Sequence, residues 1–245
     1  MLTSSAYSNR TYRERMAVEG LVPFEVTVEE TNLFILAERD LTDVALRAVK
    51  RARKAIRGYA EAHPGFFESL EPLPADPGAP RIVREMCQAG LAAGVGPMAA
   101  VAGAIAEQVS RAALQKSRSV IVENGGDVFL AGPDDRVVAV DAGASPLSGE
   151  VGVRLPGKDQ PLSICTSSGT VGPSLSFGRA DAVAVVAKSG ALADAAATAL
   201  ANIIRTRTDL DACLAAAQQI EGVRQVVAII GDALGVWGCY ELVRT

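Results

Sequence analysis

Two oxygen-bearing side chains sit four residues apart in Ala191-Leu-Ala-Asp-Ala-Ala-Ala-Thr-Ala-Leu-Ala-Asn202. On a helix, Asp194 and Thr198 share one face, and Asn202 continues the line. The rest of the stretch is apolar, and a carboxylate buried there is costly unless it is paired or bound to a metal. A hard cation such as Mg²⁺ takes carboxylate and hydroxyl oxygens and is often completed by phosphates of a ligand. Asp194 and Thr198 are therefore the candidate metal ligands. Two plainer roles compete: Asp194 stabilising the positive end of the helix, and Thr198 bonding back to the helix backbone.

A second stretch is Asn124-Gly-Gly-Asp127, flanked by the apolar runs Val120–Val122 and Val128–Leu130. Two adjacent glycines let the backbone reach positive φ and let a ligand approach its amides. Asn124 and Asp127 add an amide and a carboxylate at the same strand end. The competing reading is a simple hairpin turn. The third stretch is Thr166-Ser-Ser-Gly169, which opens a Ser/Thr/Gly loop lasting to Gly178. Such a loop can turn amides and hydroxyls toward phosphate or carboxylate oxygens, or be an ordinary polar surface loop. It is no Walker A loop, because GxxxxGK[ST] is missing. No GxSxG elbow is present, and the only histidine, His63, lies in a Pro-rich segment far along the chain. A fourth stretch, Gly94 to Glu107, bears almost no side-chain chemistry. Its smooth surface suits close approach by another helix, by a flat ligand or by a second copy of the chain in a homo-oligomer.

The elements that must position these residues follow from periodicity. Phe24–Val28 and Asn32–Ala37 predict strands around a turn at Glu29-Glu-Thr31. Leu41, Val44, Ala45, Ala48, Ala52, Ile56 and Tyr59 recur at helical spacing, with Asp40 or Thr42 as cap. The segment 63–80 is a Pro-rich loop. Helices are predicted over Ile82–Ala93 and, after a break at Gly94-Val-Gly-Pro97, from Pro97 to about Gln115. Strands are expected at 119–123, 128–131, 136–141, 150–155, 162–166 and 180–187. Helices at 191–204 and 210–219 follow, then strands at 223–230 and 236–243. Paired strands with helices between the groups predict an α+β fold rather than βαβ alternation.

Composition narrows the function. The 245 residues carry a net charge of −4, too little positive charge to neutralise a nucleic-acid backbone, so no nucleic-acid partner is expected. The basic residues Arg47, Lys50, Arg51, Arg53, Lys54 and Arg57 read as a solvated helix face. Aromatics are only 4%, so a core of small side chains must pack closely. No uninterrupted apolar span predicts a transmembrane helix, and residues 1–15 do not read as a secretory signal. No membrane partner is expected, and with four scattered cysteines lacking zinc-site spacing the expected location is cytoplasmic.

Taken in order, these motifs resemble the ApbE-like superfamily, whose best-known members are magnesium-dependent FAD:protein FMN transferases, and within it the UPF0280 branch. The carrying stretches are Tyr12-Arg-Glu-Arg15, Gly94 to Glu107, Val122 to Asp127, Thr166 to Gly169, Ser176 to Asp181 and Ala193 to Ala199. The resemblance implies one domain over residues 1–245, with mixed or antiparallel sheets packed with helices in a T-fold-related architecture. It implies Mg²⁺ on Asp194 and Thr198, and FAD or FMN along Asn124, Gly125, Gly126, Asp127, Thr166, Ser167, Ser168 and Gly169. Two departures stand out: Ala102-Gly103 where the transferases have Lys-Gly, and no histidine over Pro173–Phe177. The expected function is therefore binding of a flavin or related nucleotide with Mg²⁺. The alternatives are an active FMN transferase or FAD-cleaving enzyme, and a non-catalytic assembly protein.

Overall fold

The computed structural model describes residues 12–13, 16–74, 76–169 and 178–245. Alternating apolar residues make the first hairpin, β1 (Val22–Val28) and β2 (Thr31–Ala37), with Val28 opposite Thr31. Helix α1 (Thr42–Ala62) buries Ala45, Val49, Ala52 and Ile56 along one stripe. Its cap differs from expectation. Leu41 occupies the cap position, and Asp40 instead accepts from the Thr42 N–H at 2.8 Å. The basic face of α1 serves the fold, because Arg53 and Arg57 ion-pair with the hairpin acids Glu29 and Glu30.

The Pro-rich segment buries Phe66 against the helices, and its Leu70 carbonyl accepts from Gly96 N at 2.8 Å. Helix α2 (Arg81–Ala93) stops where Gly94 turns left-handed at φ 74°. A 3-10 turn over Pro97–Ala100 then leads into α3 (Val101–Ala113), and the chain bends by 107° between the two helices. Among the described residues, no single helix is long and apolar enough to cross a membrane.

The remaining elements are β3 (Val120–Asn124), β4 (Asp127–Ala131), β5 (Arg136–Ala139), β6 (Val151–Leu155), β7 (Leu162–Ser167), β8 (Ala182–Ala187), α4 (Gly190–Ile203), α5 (Leu210–Ala217), β9 (Val223–Ile230), β10 (Ala233–Gly238) and β11 (Leu242–Arg244). Among the described residues, eight strands form one sheet in the order β1-β2-β3-β4-β7-β8-β9-β10, and three form another in the order β11-β6-β5. Every pairing is antiparallel. The helices cover one face of the large sheet, and the small sheet covers part of the other. Strand β8 is therefore buried on both faces, which is why Ala182–Ala187 reads as an unbroken apolar run. The architecture is the expected α+β one.

One predicted strand is corrected. Residues 236–243 form two strands in different sheets, not one. Gly238 has φ 137°, and a Cβ there would lie 2.3 Å from Gln225 Oε1 and 2.4 Å from the Arg224 carbonyl. The chain leaves β10 at this glycine and crosses to pair with β6 as β11. Alternation alone runs straight through such a corner.

Candidate functional site

The turn between β3 and β4 is the hairpin that its glycines predict. Asn124 pairs with Asp127, and Gly125 and Gly126 sit at φ 68° and 106°. The ligand reading needs this same geometry, so turn and site do not exclude each other. Val122 and Phe129 face the helices, so strand alternation puts Asn124 and Asp127 on that face too. Asn124 Nδ2 donates to the Ala102 carbonyl at the start of α3, at 3.0 Å.

Strand β7 ends beside this turn. The Thr166 carbonyl is the nearest atom to the space above Gly126. The Cys165 thiol and the Thr166 amide lie against the Asp127 carboxylate. Past Ser167 and Ser168, Gly169 N donates to Ala180 O at 2.9 Å. A Cβ on Gly169 would meet the Gly178 carbonyl at 2.3 Å. The expectations for Thr170–Phe177, including Ser176-Phe177 and the missing histidine over 173–177, lie outside the described residues, as does Glu14-Arg15.

Helix α4 starts at Ser189, whose hydroxyl accepts from Leu192 N at 3.4 Å. This long cap bond predicts that Ser189→Ala lowers unfolding free energy by about 0.5–1 kcal/mol in urea titration. Glu107 of α3 accepts from Gly190 N at 2.8 Å and ion-pairs with Arg111. Burial still pushes the Glu107 carboxyl above the usual range, against the pull of Arg111. One turn into α4, Asp194 Oδ2 accepts from Gly103 N at 2.8 Å. Ala102-Gly103 therefore works through its backbone, its carbonyl holding Asn124 and its next amide holding Asp194. Thr198 follows one turn later, half-buried. Asn202 diverges from the site and lines a cleft of about 450 Å³ between α2, α4 and α5.

The electrostatics centre on two acids. Burial raises the Asp194 carboxyl to about 7, partly opposed by the amides of Gly103 and Ala102. Burial, then the charges of Asp194 and Glu123, push Asp127 well above the carboxylate range. Asp127 Oδ1 is buried and has no hydrogen-bond partner among the described residues. Cys165 is pushed well up by burial and by both acids, so it stays a neutral thiol without nucleophilic character. Among the described residues, no group of three or more His, Cys, Asp or Glu side chains could hold a metal ion. A cation here would rest on carboxylate and hydroxyl oxygens and on oxygens that a ligand brings.

Residue-by-residue chemistry missed Glu123. It is buried directly behind the turn, where it accepts from Gly126 N at 3.0 Å, Tyr12 Oη at 2.8 Å and Arg13 Nε at 2.7 Å. A lone carboxylate in an apolar strand was the available signal.

Comparison with known proteins gives the family and the fold. A family model described as AbpE bacteria matches residues 13–231. The UPF0280 protein of Methanocella arvoryzae is 40% identical over 212 residues, covering 86% of this chain and 86% of the relative. The chain belongs to the UPF0280 family. Its relative in Methanocaldococcus jannaschii is 39% identical over 229 residues, 90% of this chain and 92% of the relative. Among solved structures, the flavin transferase ApbE of Vibrio cholerae matches at TM-score 0.56 and 11% identity, covering 89% of this chain and 96% of that one. The flavinyl transferase ApbE of Pseudomonas stutzeri matches at TM-score 0.57 and 14% identity, covering 89% and 94%. At such identities the match speaks for the fold, which is the ApbE fold that the motifs resemble.

Proposed function

We propose that this UPF0280 chain binds a flavin or closely related nucleotide together with Mg²⁺, where the Asn124–Asp127 turn, the Thr166–Gly169 strand end and helix α4 meet. The observation that carries the reading is the acid pair. Burial raises the Asp194 carboxyl, burial and then the Asp194 charge raise the buried Asp127 carboxyl, and one Asp127 oxygen lacks a partner among the described residues. Two acids in a poorly solvated place create a demand for positive charge, and their hard oxygens suit Mg²⁺. Asp194 and Thr198 would hold the ion, and Mg²⁺ bound there would neutralise charge on the nucleotide's phosphates.

The chain's own groups supply the rest. The Gly103 amide fixes the Asp194 carboxylate in one orientation. Asn124, tied to Ala102, locks the turn against α3. Asn124, Gly125, Gly126 and Asp127 on one side, with Thr166, Ser167, Ser168 and Gly169 on the other, would line the nucleotide with backbone, hydroxyls and one carboxylate, while the Gly126 and Gly169 amides stay engaged with Glu123 and Ala180.

Binding without turnover is favoured over FMN transfer or FAD cleavage by one observation. The position where the transferases carry a lysine holds Ala102, which contributes a carbonyl already engaged with Asn124 and no ionisable group.

The test is titration of the purified chain with FAD and FMN, with and without Mg²⁺, followed by flavin fluorescence, with AMP added as a competitor. Stoichiometric binding that requires Mg²⁺ and weakens by about 100-fold in Asp194→Ala is expected, since even outer partners of metal ligands change affinity 10- to 100-fold. Equal affinity in the variant, or none in the wild type, overturns the reading. Release of AMP from FAD in the same mixture would decide for the enzyme.

A further inference from the structure

The face of the β3–β4 hairpin turned away from the helices carries a feature that the nucleotide reading does not use. Glu123 shares that face with Ile121, on the side where Met16, Val18 and Leu21 of the N-terminal stretch pack. Its side chain is 1% exposed, and that of Arg13 is 7% exposed. Arg13 meets Glu123 through Nε at 2.7 Å and Nη2 at 2.5 Å. Arg13 Nη1 donates to Asn32 Oδ1 at 2.5 Å and Nη2 to the Asn32 carbonyl at 3.2 Å, while the guanidinium lies over the Phe34 ring. The guanidinium is thus gripped on several sides. The other Glu123 oxygen accepts from the Tyr12 hydroxyl and from Gly126 N.

Gly126 is the second of two consecutive positive-φ glycines, the most permissive backbone in the site. Its N–H is anchored on a buried carboxylate that ion-pairs with Arg13, and removing one partner of such a pair is strongly destabilising. Asn124 ties one end of the turn to Ala102, and Glu123 is the hold on the glycine itself. Asn124 and Asp127 leave the two ends of that turn on the opposite face.

We propose that Arg13 and Tyr12 are positioning residues for the candidate site: by fixing the Glu123 carboxylate they hold the Gly125-Gly126 turn, and with it Asn124 and Asp127, in the geometry that ligand binding requires. The inference rests on the nucleotide reading for its ligand but not for the turn itself. The N-terminal stretch thus acts on the site from behind the sheet, without touching the ligand.

Two measurements on the full-length protein test it: amide hydrogen exchange at Gly126 by NMR, and affinity for FAD with Mg²⁺. Tyr12→Phe removes one hydroxyl and should speed Gly126 exchange and weaken FAD binding about tenfold, the lower end of the effect of one hydrogen bond to a charged group. Arg13→Ala should do more, and Arg13→Lys, which keeps charge but not the fork, should fall between. Leu214→Ala, a destabilising change in the distant helix α5, should move neither readout beyond its global loss of stability. Where Arg13→Ala does not fold, Tyr12→Phe decides. Unchanged Gly126 exchange in folded variants overturns the proposal, and so does faster exchange with unaltered affinity. If the wild type binds no FAD, the nucleotide reading fails. The hold on the turn is then still supported by faster exchange and overturned by unchanged exchange.

Discussion

In EDTA, the protein should lose stability as the pH rises from about 4 to about 7, by on the order of 4 kcal/mol. The Asp194 carboxyl titrates at about 7 in the folded chain and near 3.9 in an unfolded one. Between those values the folded state binds one proton more than the unfolded state. Stability therefore falls with pH, at about 1.4 kcal/mol for each unit of pH. Below about 4 both states are protonated and the full stability is present. Above about 7 both are ionised and the cost stays constant. Asp127 and Glu107 are shifted in the same direction and add to the slope. The carboxyls held low, such as the exposed Glu29 and the half-buried Glu38 and Asp209, act at more acid pH. Urea unfolding in EDTA at pH 5 and pH 8 should show about 2.7 kcal/mol of that difference, the part that falls between pH 5 and pH 7. Asp194→Asn keeps the shape and removes the titration, so its stability should depend less on pH and exceed wild type at pH 8. Mg²⁺ should restore the wild type at pH 8, because a ligand bound only by the folded state stabilises it. An equal pH dependence in wild type and variant would exclude Asp194 as the source.

The same two acids mark how much of the candidate site could be read from the sequence. Asp194 was legible because a charged residue on an alanine-rich helix contradicts its surroundings, and the turn was legible because Asn-Gly-Gly-Asp demands positive φ. Periodicity located most of the elements for the same local reason: which residues face a core is written every second or every third to fourth position. Contacts between distant segments were not legible. Nothing in the spacing says that Gly126 hangs on Glu123, that Glu123 is neutralised by Arg13 from 110 residues away, or that Ala102-Gly103 bridges Asn124 and Asp194. Nor does alternation reveal that Gly238 turns the chain into a second sheet. These are long-range events, decided by what packs against a backbone rather than by the local pattern.

Gly103→Ala should have a large effect too, and on two properties together. The α3–α4 contact is backbone against backbone. A Cβ on Gly103 would lie 2.2 Å from the Gly190 carbonyl oxygen and 2.9 Å from Asp194 Cβ. In the other direction, a Cβ on Gly190 would lie 2.4 Å from the Gly103 carbonyl oxygen. No flexible side-chain end can swing away, so one helix must shift relative to the other. Forcing methyl groups into a packed interior costs about 1–3 kcal/mol when side chains can yield. Where only backbone can yield, a loss of about 3 kcal/mol or more is expected in urea unfolding. The same shift pulls the Gly103 amide off Asp194 Oδ2, so the FAD affinity proposed above should drop with it. Gly58→Ala is the matched control, the same added methyl within a helix. Gly58 lies in α1 with nothing within 4 Å of the added Cβ, and alanine there should raise stability by about 0.5–1 kcal/mol through helix propensity. Opposite signs for one chemical change would tie the effect to the closeness of the two helices. A Gly103→Ala protein as stable as wild type would show that α3 and α4 can separate without cost, and the backbone clamp on Asp194 would then lose its physical basis.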